Sequence, residues 1–248
     1  MNMLRIAGNF SASGLPSFGT IAEELLARSE LFDWYQADPE FGAHVTDGKV
    51  DTILGQKGAA SLVQATADNR PAYAENALNG YPAAVFDGAN DRLVCSVQRN
   101  FTLAHGLAVI ARSGDTTYPD VILSANSSSL PEYISFAAGG LINFVQGNKA
   151  LTLPAAASGD WNVIVTSANG AGTLRLWVNG RYIEATGGNN STMTSAALIV
   201  GALNNAGSSI MTGSVTDVMQ FDGDILAGAA PVLDLVRDVA DFTYGLRF

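Results

Sequence analysis

A chain of 248 residues with a formal net charge of -10 and a pI near 4.5 repels phosphate backbones and anionic lipid surfaces, so neither nucleic acid nor membrane is expected as a partner. A single cysteine, Cys95, excludes an intramolecular disulfide framework, and no apolar run reaches the roughly 18 residues a spanning helix needs. Charged residues make up only 15% while glycine occupies 26 positions, a balance that favours strands and tight turns and implies surface covered by neighbouring copies, hence a homo-oligomer.

Taken in chain order, residues 1–19 show no sustained period and carry Gly, Ser and Pro at short intervals, which predicts an extended arm. Thr20 followed by Glu23 makes a capping box, and Ile21, Leu25 and Leu26 predict a short amphipathic helix from Thr20 to about Phe32. The arm and helix, 1–31, therefore precede a single domain, 32–248. A strand is expected at Phe32–Asp38, and Pro39–Gly58 reads as loose and turn-rich. Further strands are expected near 101–112, 119–125, 132–137, 140–146 and 149–153, each bounded by Gly, Asn, Ser or Pro.

Asp160–Ala185 is the most strongly patterned stretch. Trp161, Val163 and Val165 share one strand face, Asn169-Gly170-Ala171-Gly172 turns the chain, and Leu174, Leu176 and Val178 repeat the alternation. Asn179-Gly180 then predicts a type I′ hairpin turn, because both residues reach positive φ at little cost. Late strands are expected at 197–202 and 213–222. A closing helix runs from Pro231 to Tyr244, with Val232, Leu235, Val236 and Val239 on one face and Gly245 as its stop.

The Trp-led meander with Thr-Leu-Arg-Leu-Trp-Val-Asn-Gly resembles the centre of a concanavalin A-like (laminin G-like) jelly roll. The resemblance extends to Trp34-Tyr35-Gln36-Ala37-Asp38, Arg70-Pro71-Ala72-Tyr73, Asn79-Gly80-Tyr81-Pro82 and Phe86-Asp87-Gly88-Ala89-Asn90-Asp91-Arg92-Leu93, in that order, and covers roughly residues 32–246. It implies an all-β fold: two antiparallel sheets face to face around a dry core, with a short N-terminal and a C-terminal helix.

Chemistry is sparse. Retaining glucanases of similar fold carry Glu-x-Asp-x-x-Glu on one strand, and none of the Glu residues here is followed two positions later by Asp, so no catalytic residue is assigned. His44 and His105 stand beside no metal or general-base motif, and Cys95 sits in an apolar run that reads as core. Asp87, Asn90 and Asp91 share one short loop whose hard oxygens suit Ca²⁺, as do Asp222 and Asp224; the same residues equally satisfy turn backbone, the reading preferred, and no metal or cofactor is assigned. Tyr118, Tyr133, Trp177 and Tyr182 are the aromatics available to stack on a glycan, Trp177 and Arg175 lying opposite Leu174, Leu176 and Val178 on their strand. Core or interface is the preferred place for Trp177.

Chains of this compact type resemble proteins of tailed-phage structural gene sets. The resemblance implies a non-enzymatic virion protein assembled in the host cytoplasm without a signal peptide, a capsid decoration or other accessory module anchored to capsid or tail proteins by its N-terminal arm. The alternative is a carbohydrate-binding tail or receptor-binding module, and a third possibility is a glycan-degrading enzyme.

Overall fold

The computed structural model describes residues 18–114, 119–127, 130–156, 159–188, 195–228 and 231–248. The expected arm falls almost wholly outside this set, as does Tyr118. A helix, α1 (Phe18–Ala27), precedes β1 (Leu31–Gln36), β2 (Ala43–Thr46), β3 (Lys49–Leu54), β4 (Ser61–Val63), β5 (Ala72–Leu78) and β6 (Tyr81–Asp87). There follow β7 (Leu93–Asn100), β8 (His105–Ser113), β9 (Asp120–Ser127), β10 (Leu130–Ala137), β11 (Leu141–Gln146) and β12 (Lys149–Pro154). The chain continues through β13 (Asn162–Ala168), β14 (Thr173–Val178), β15 (Arg181–Thr186), β16 (Ser195–Val200) and β17 (Thr212–Asp222) to α2 (Pro231–Tyr244).

Antiparallel ladders join the strands into one 17-stranded system that doubles back on itself as two layers. One layer runs β5-β6-β17-β8-β13-β14-β15, with β1 continuing the place of β6 along the same edge of β17. The other runs β2-β3-β4-β7-β16-β9-β10-β11-β12. Among the described residues a single bridge, Lys49 opposite Ala72, links the two at one margin. This is an all-β sandwich of the jelly-roll class, as the sequence predicts.

The main core lies between the sheets and includes Tyr35, Leu107, Val109, Ile134, Phe144, Leu174, Leu176 and Val178. A second core was not foreseen. It lies on the outer face of the β17-β8-β13 sheet, where Trp34, Ala108, Val163, Val165, Trp177 and Met219 meet Ile21 and Leu25 of α1 and Val232, Val236 and Val239 of α2. Each such aliphatic side chain removed from water contributes about 1.5 to 3 kcal/mol, which fixes both helices to the sheet. Strand β13 is consequently buried on both faces along its whole length, which accounts for its continuous Val163-Ile164-Val165 run. Trp161, Val163 and Val165 face the helices while Leu174, Leu176 and Val178 face the opposite sheet, so the two runs of the meander serve different cores.

Local chemistry sets the turns. Asn79-Gly80 and Asn179-Gly180 both take positive φ, as two-residue hairpin turns require. Helix α1 ends earlier than expected: Arg28 and Leu31 close a turn back on Leu25 and Arg28, and Phe32 belongs to β1, paired with β17. Thr20 lies within the helix and not at its cap. The stretch expected to be loose, Pro39–Gly58, holds the β2–β3 hairpin around Asp47-Gly48, again with positive φ at both positions. The C-terminal helix stops as predicted, with Gly245 at φ 68 and the amides of Gly245 and Leu246 returning to Asp241 and Ala240.

Candidate functional site

Buried polar groups first show which side chains are committed to structure. Asp217 is fully enclosed; its Oδ1 accepts from the Trp34 indole at 2.7 Å and its Oδ2 from the Tyr244 hydroxyl. Burial raises its pKa, against the pull of those donors. Asp33, also enclosed, accepts from the amides of Lys57 and Ala60 at 2.9 Å each and so shapes the loop after β3. Gly55 permits that approach, since a Cβ there would stand 2.0 Å from Asp33 Oδ2.

Between the sheets the expected dry core is interrupted. His105 at the start of β8 contacts Glu132 of β10 at 2.7 Å through Nε2 and the Leu103 carbonyl at 2.8 Å through Nδ1, and Gln146 donates to the other Glu132 oxygen at 2.7 Å. With Glu132 ionised, a carboxylate and a carbonyl both accept, and that arrangement favours a proton on each ring nitrogen. Burial opposes that charge, but Glu132 and the carbonyl outweigh it and raise the His105 pKa. The triad pins one sheet to the other and has no opening to solvent: all three side chains are buried. His44 stands apart, exposed on β2. Cys95 is core, with Sγ 3.7 Å from the Tyr35 hydroxyl.

The oxygen-rich loops behave as turns. Asp87 Oδ1 accepts from the Ala89 and Asn90 amides, and Asp91 Oδ2 from the Asp87 amide at 3.1 Å. Asn90 contributes its carbonyl to Arg92. Asp91 is only 3% exposed, and burial followed by the charge of Asp87 pushes its pKa up to about 6. Asp222 and Asp224 diverge, the first to Arg99 and the second to Arg175 and the Ser167 hydroxyl. Among the described residues no group of three or more His, Cys, Asp or Glu side chains is placed to hold a metal.

The glycan-stacking candidates do not converge. Trp177 is 5% exposed, within the second core, where Phe248 meets it edge-on at 6.1 Å. Tyr182 pairs across from Trp177 at the sheet margin and is 49% exposed. Tyr133 lies on the other sheet, half-buried.

What single-strand reading missed is a feature assembled only by register. On the face turned away from the main core, the second sheet aligns His44, Thr52, Val63, Val94, Ile199, Ser124, Tyr133, Val145 and Ala150 in one transverse row. No member of the row carries a formal charge with His44 neutral. Ile199 and Ser124 at its centre are buried, the Ser124 hydroxyl donating to the carbonyls of Ala202 and Leu203, while Val63 is 37% exposed and Val94, Tyr133 and Val145 are half-buried. The opposite outer face, by contrast, is roofed. Segment 223–226 crosses it, Ile225 filling the space over Gly106 where a Cβ would meet it at 2.5 Å, and α1 and α2 pack beside it.

No protein-family model matches the sequence, and no curated protein matches it. Solved structures do. Trypanosoma rangeli sialidase superposes with a TM-score of 0.60 at 12% identity over 86% of this chain, which spans only 34% of the sialidase chain. Domain 4 of AbnA, a GH43 extracellular arabinanase from Geobacillus stearothermophilus, seen in complex with arabinotriose, matches with a TM-score of 0.55 at 15% identity over 84% of this chain and 98% of that domain. The botulinum neurotoxin type G receptor binding domain matches with a TM-score of 0.60 at 11% identity, over 85% of this chain and 51% of its own. At such identities the likeness is one of fold.

Proposed function

We propose that the chain is a non-enzymatic surface module of a tailed-phage virion, a capsid decoration or other accessory protein that works by contact. The observation that carries the contact is the asymmetry of the sandwich: helices roof one sheet, while the other presents an uncharged, partly exposed transverse row including Val63, Val94, Tyr133 and Val145. Such a face suits a broad protein partner. The virion setting draws its support from the ordered motifs between Trp34 and Leu93. The absence of catalysis is supported by the commitment of Asp33, Glu132, Asp217 and Asp224 to structural hydrogen bonds.

Mass spectrometry of purified particles tests the setting, and Val63→Lys with Val145→Lys tests the face. Expected is a chain present at fixed stoichiometry whose lysine variants fold with unchanged melting midpoints yet fail to incorporate. A chain missing from particles would sink the virion reading. Variants incorporated at full occupancy would move the contact elsewhere.

A second reading makes the contact a carbohydrate. It is supported by the AbnA domain seen with arabinotriose and by the toxin receptor binding domain, both of which share this fold. Glycan arrays run with and without calcium decide it.

A further inference from the structure

At the margin of the roofed sheet the covering stops short and leaves aromatic side chains open. Tyr182 on β15 is 49% exposed, and among the described residues β15 has a single strand neighbour, β14. An exposed tyrosine ordinarily samples several rotamers. This one is held: its hydroxyl donates to Glu184 Oε2 at 2.9 Å, two residues along the same strand. Residues two apart share one face of a strand, so the bond ties the tip of the ring to its own strand while about half of the residue stays open to solvent.

The anchor is itself anchored. Glu184 receives Arg175 Nε at 2.8 Å from the facing position on β14, the Arg175 guanidinium also pairs with Asp224, and the Ser167 hydroxyl donates to the second Asp224 oxygen at 2.6 Å. Beside the ring lies Trp177, with Phe248, 42% exposed, set edge-on against it. The result is an aromatic platform flanked by a carboxylate and a guanidinium, fixed before any ligand arrives.

We propose that Tyr182 is the stacking platform of a binding site for a neutral pyranose. This rests on the carbohydrate reading above and adds where the sugar sits and what kind it is. The apolar face of a sugar ring matches the open face of Tyr182, and Glu184, 45% exposed, can accept from sugar hydroxyls at the platform's edge. Arg175 is balanced by Glu184 and Asp224, so the site offers no free positive charge to an acidic sugar. Preorganisation spares the ordering cost that a mobile aromatic would incur on binding.

The test uses the full chain, an array of neutral and sialylated oligosaccharides, and titration with lactose and cellotriose by ligand-observed NMR. Wild type should bind neutral sugars, Tyr182→Ala should weaken binding about tenfold or more, and Tyr182→Phe should fall between the two, with melting midpoints alike. Neutral-sugar binding unchanged in Tyr182→Ala would overturn the site while leaving the carbohydrate reading intact. Binding of sialylated glycans alone would overturn the neutral specificity. Binding of no glycan at all would end both.

Discussion

The indole of Trp34 donates to Asp217 at 2.7 Å, joining the first strand to the last, and Tyr244 of the C-terminal helix completes the carboxylate from its other side. The bond sits just after a bulge in β17, between Val215 and Asp217, where that strand exchanges β6 for β1 as its neighbour. Asp217 thus ties three parts of the chain at the point where the sheet changes partners.

Tyr244→Phe should expose the importance of this node. It keeps the ring, which packs edge-on against Tyr81 at 5.1 Å, and removes only the donor. A buried carboxylate oxygen left without its partner costs about 1 to 3 kcal/mol, to be read from the urea midpoint at unchanged slope.

The His105–Glu132 pair makes stability depend on pH. Because the folded pKa of His105 is raised, its contribution is fully present below the unfolded value, about 6.5, and is lost as pH rises through the folded value. Unfolding free energy should therefore decline from near neutrality upward. In Glu132→Gln the sign should reverse, since burial alone then favours the neutral ring, and at low pH the variant should lose about 3 kcal/mol. A wild type whose stability is flat from pH 6 to 9 would exclude a charged pair.

Asp91 predicts a gain. Its folded pKa of about 6 lies above the unfolded aspartate value, so ionisation at neutral pH works against the fold. Asp91→Asn keeps an acceptor for the Asp87 amide and removes the repulsion, and should stabilise the protein at pH 7 by about 1 to 2 kcal/mol. The gain should fade as pH falls through 6 towards the unfolded value near 4, below which both forms are neutral. Calorimetry at several pH values reads it directly.

Gly106→Ala addresses the roof. A Cβ there would stand 2.5 Å from Ile225 Cγ1 and 3.3 Å from the Thr166 carbonyl, so the Ile225 side chain, and with it segment 223–226, must give way. Overpacking of this kind costs about 1 to 3 kcal/mol. A lowered urea midpoint at unchanged slope is the expected sign, and a midpoint equal to the wild type's would show that the segment tolerates displacement.

How much of this was legible in the sequence varies with the range of the interaction. Asn179-Gly180, the Leu174-Leu176-Val178 alternation and the Pro231-to-Gly245 helix announce themselves within a few residues, and each is found where it was expected. The β2–β3 hairpin carried its own signal, Asp47-Gly48, between runs too short to show a period. The helical roof was hidden because the β17-β8-β13 sheet is buried on both faces, which erases the alternation that would have marked its outer side. The transverse row from His44 to Ala150 depends on registers between strands far apart in the chain, and no local pattern encodes those. Of the stacking candidates, burial removed Trp177, and only the bond to Glu184 distinguishes Tyr182 from any other surface tyrosine.

Strand β17 has neighbours drawn from very different moments of synthesis: Leu31 faces Phe221, Val85 faces Ser214, and Val109 faces Val218. On the ribosome, β1, β6 and β8 emerge long before the segment that will lie among them, and their backbone groups must wait in water or on a chaperone until it does. A message truncated before codon 212 would yield a product with three unsatisfied edges and without α2 and segment 223–226, destined for aggregation or degradation and not for a smaller working module.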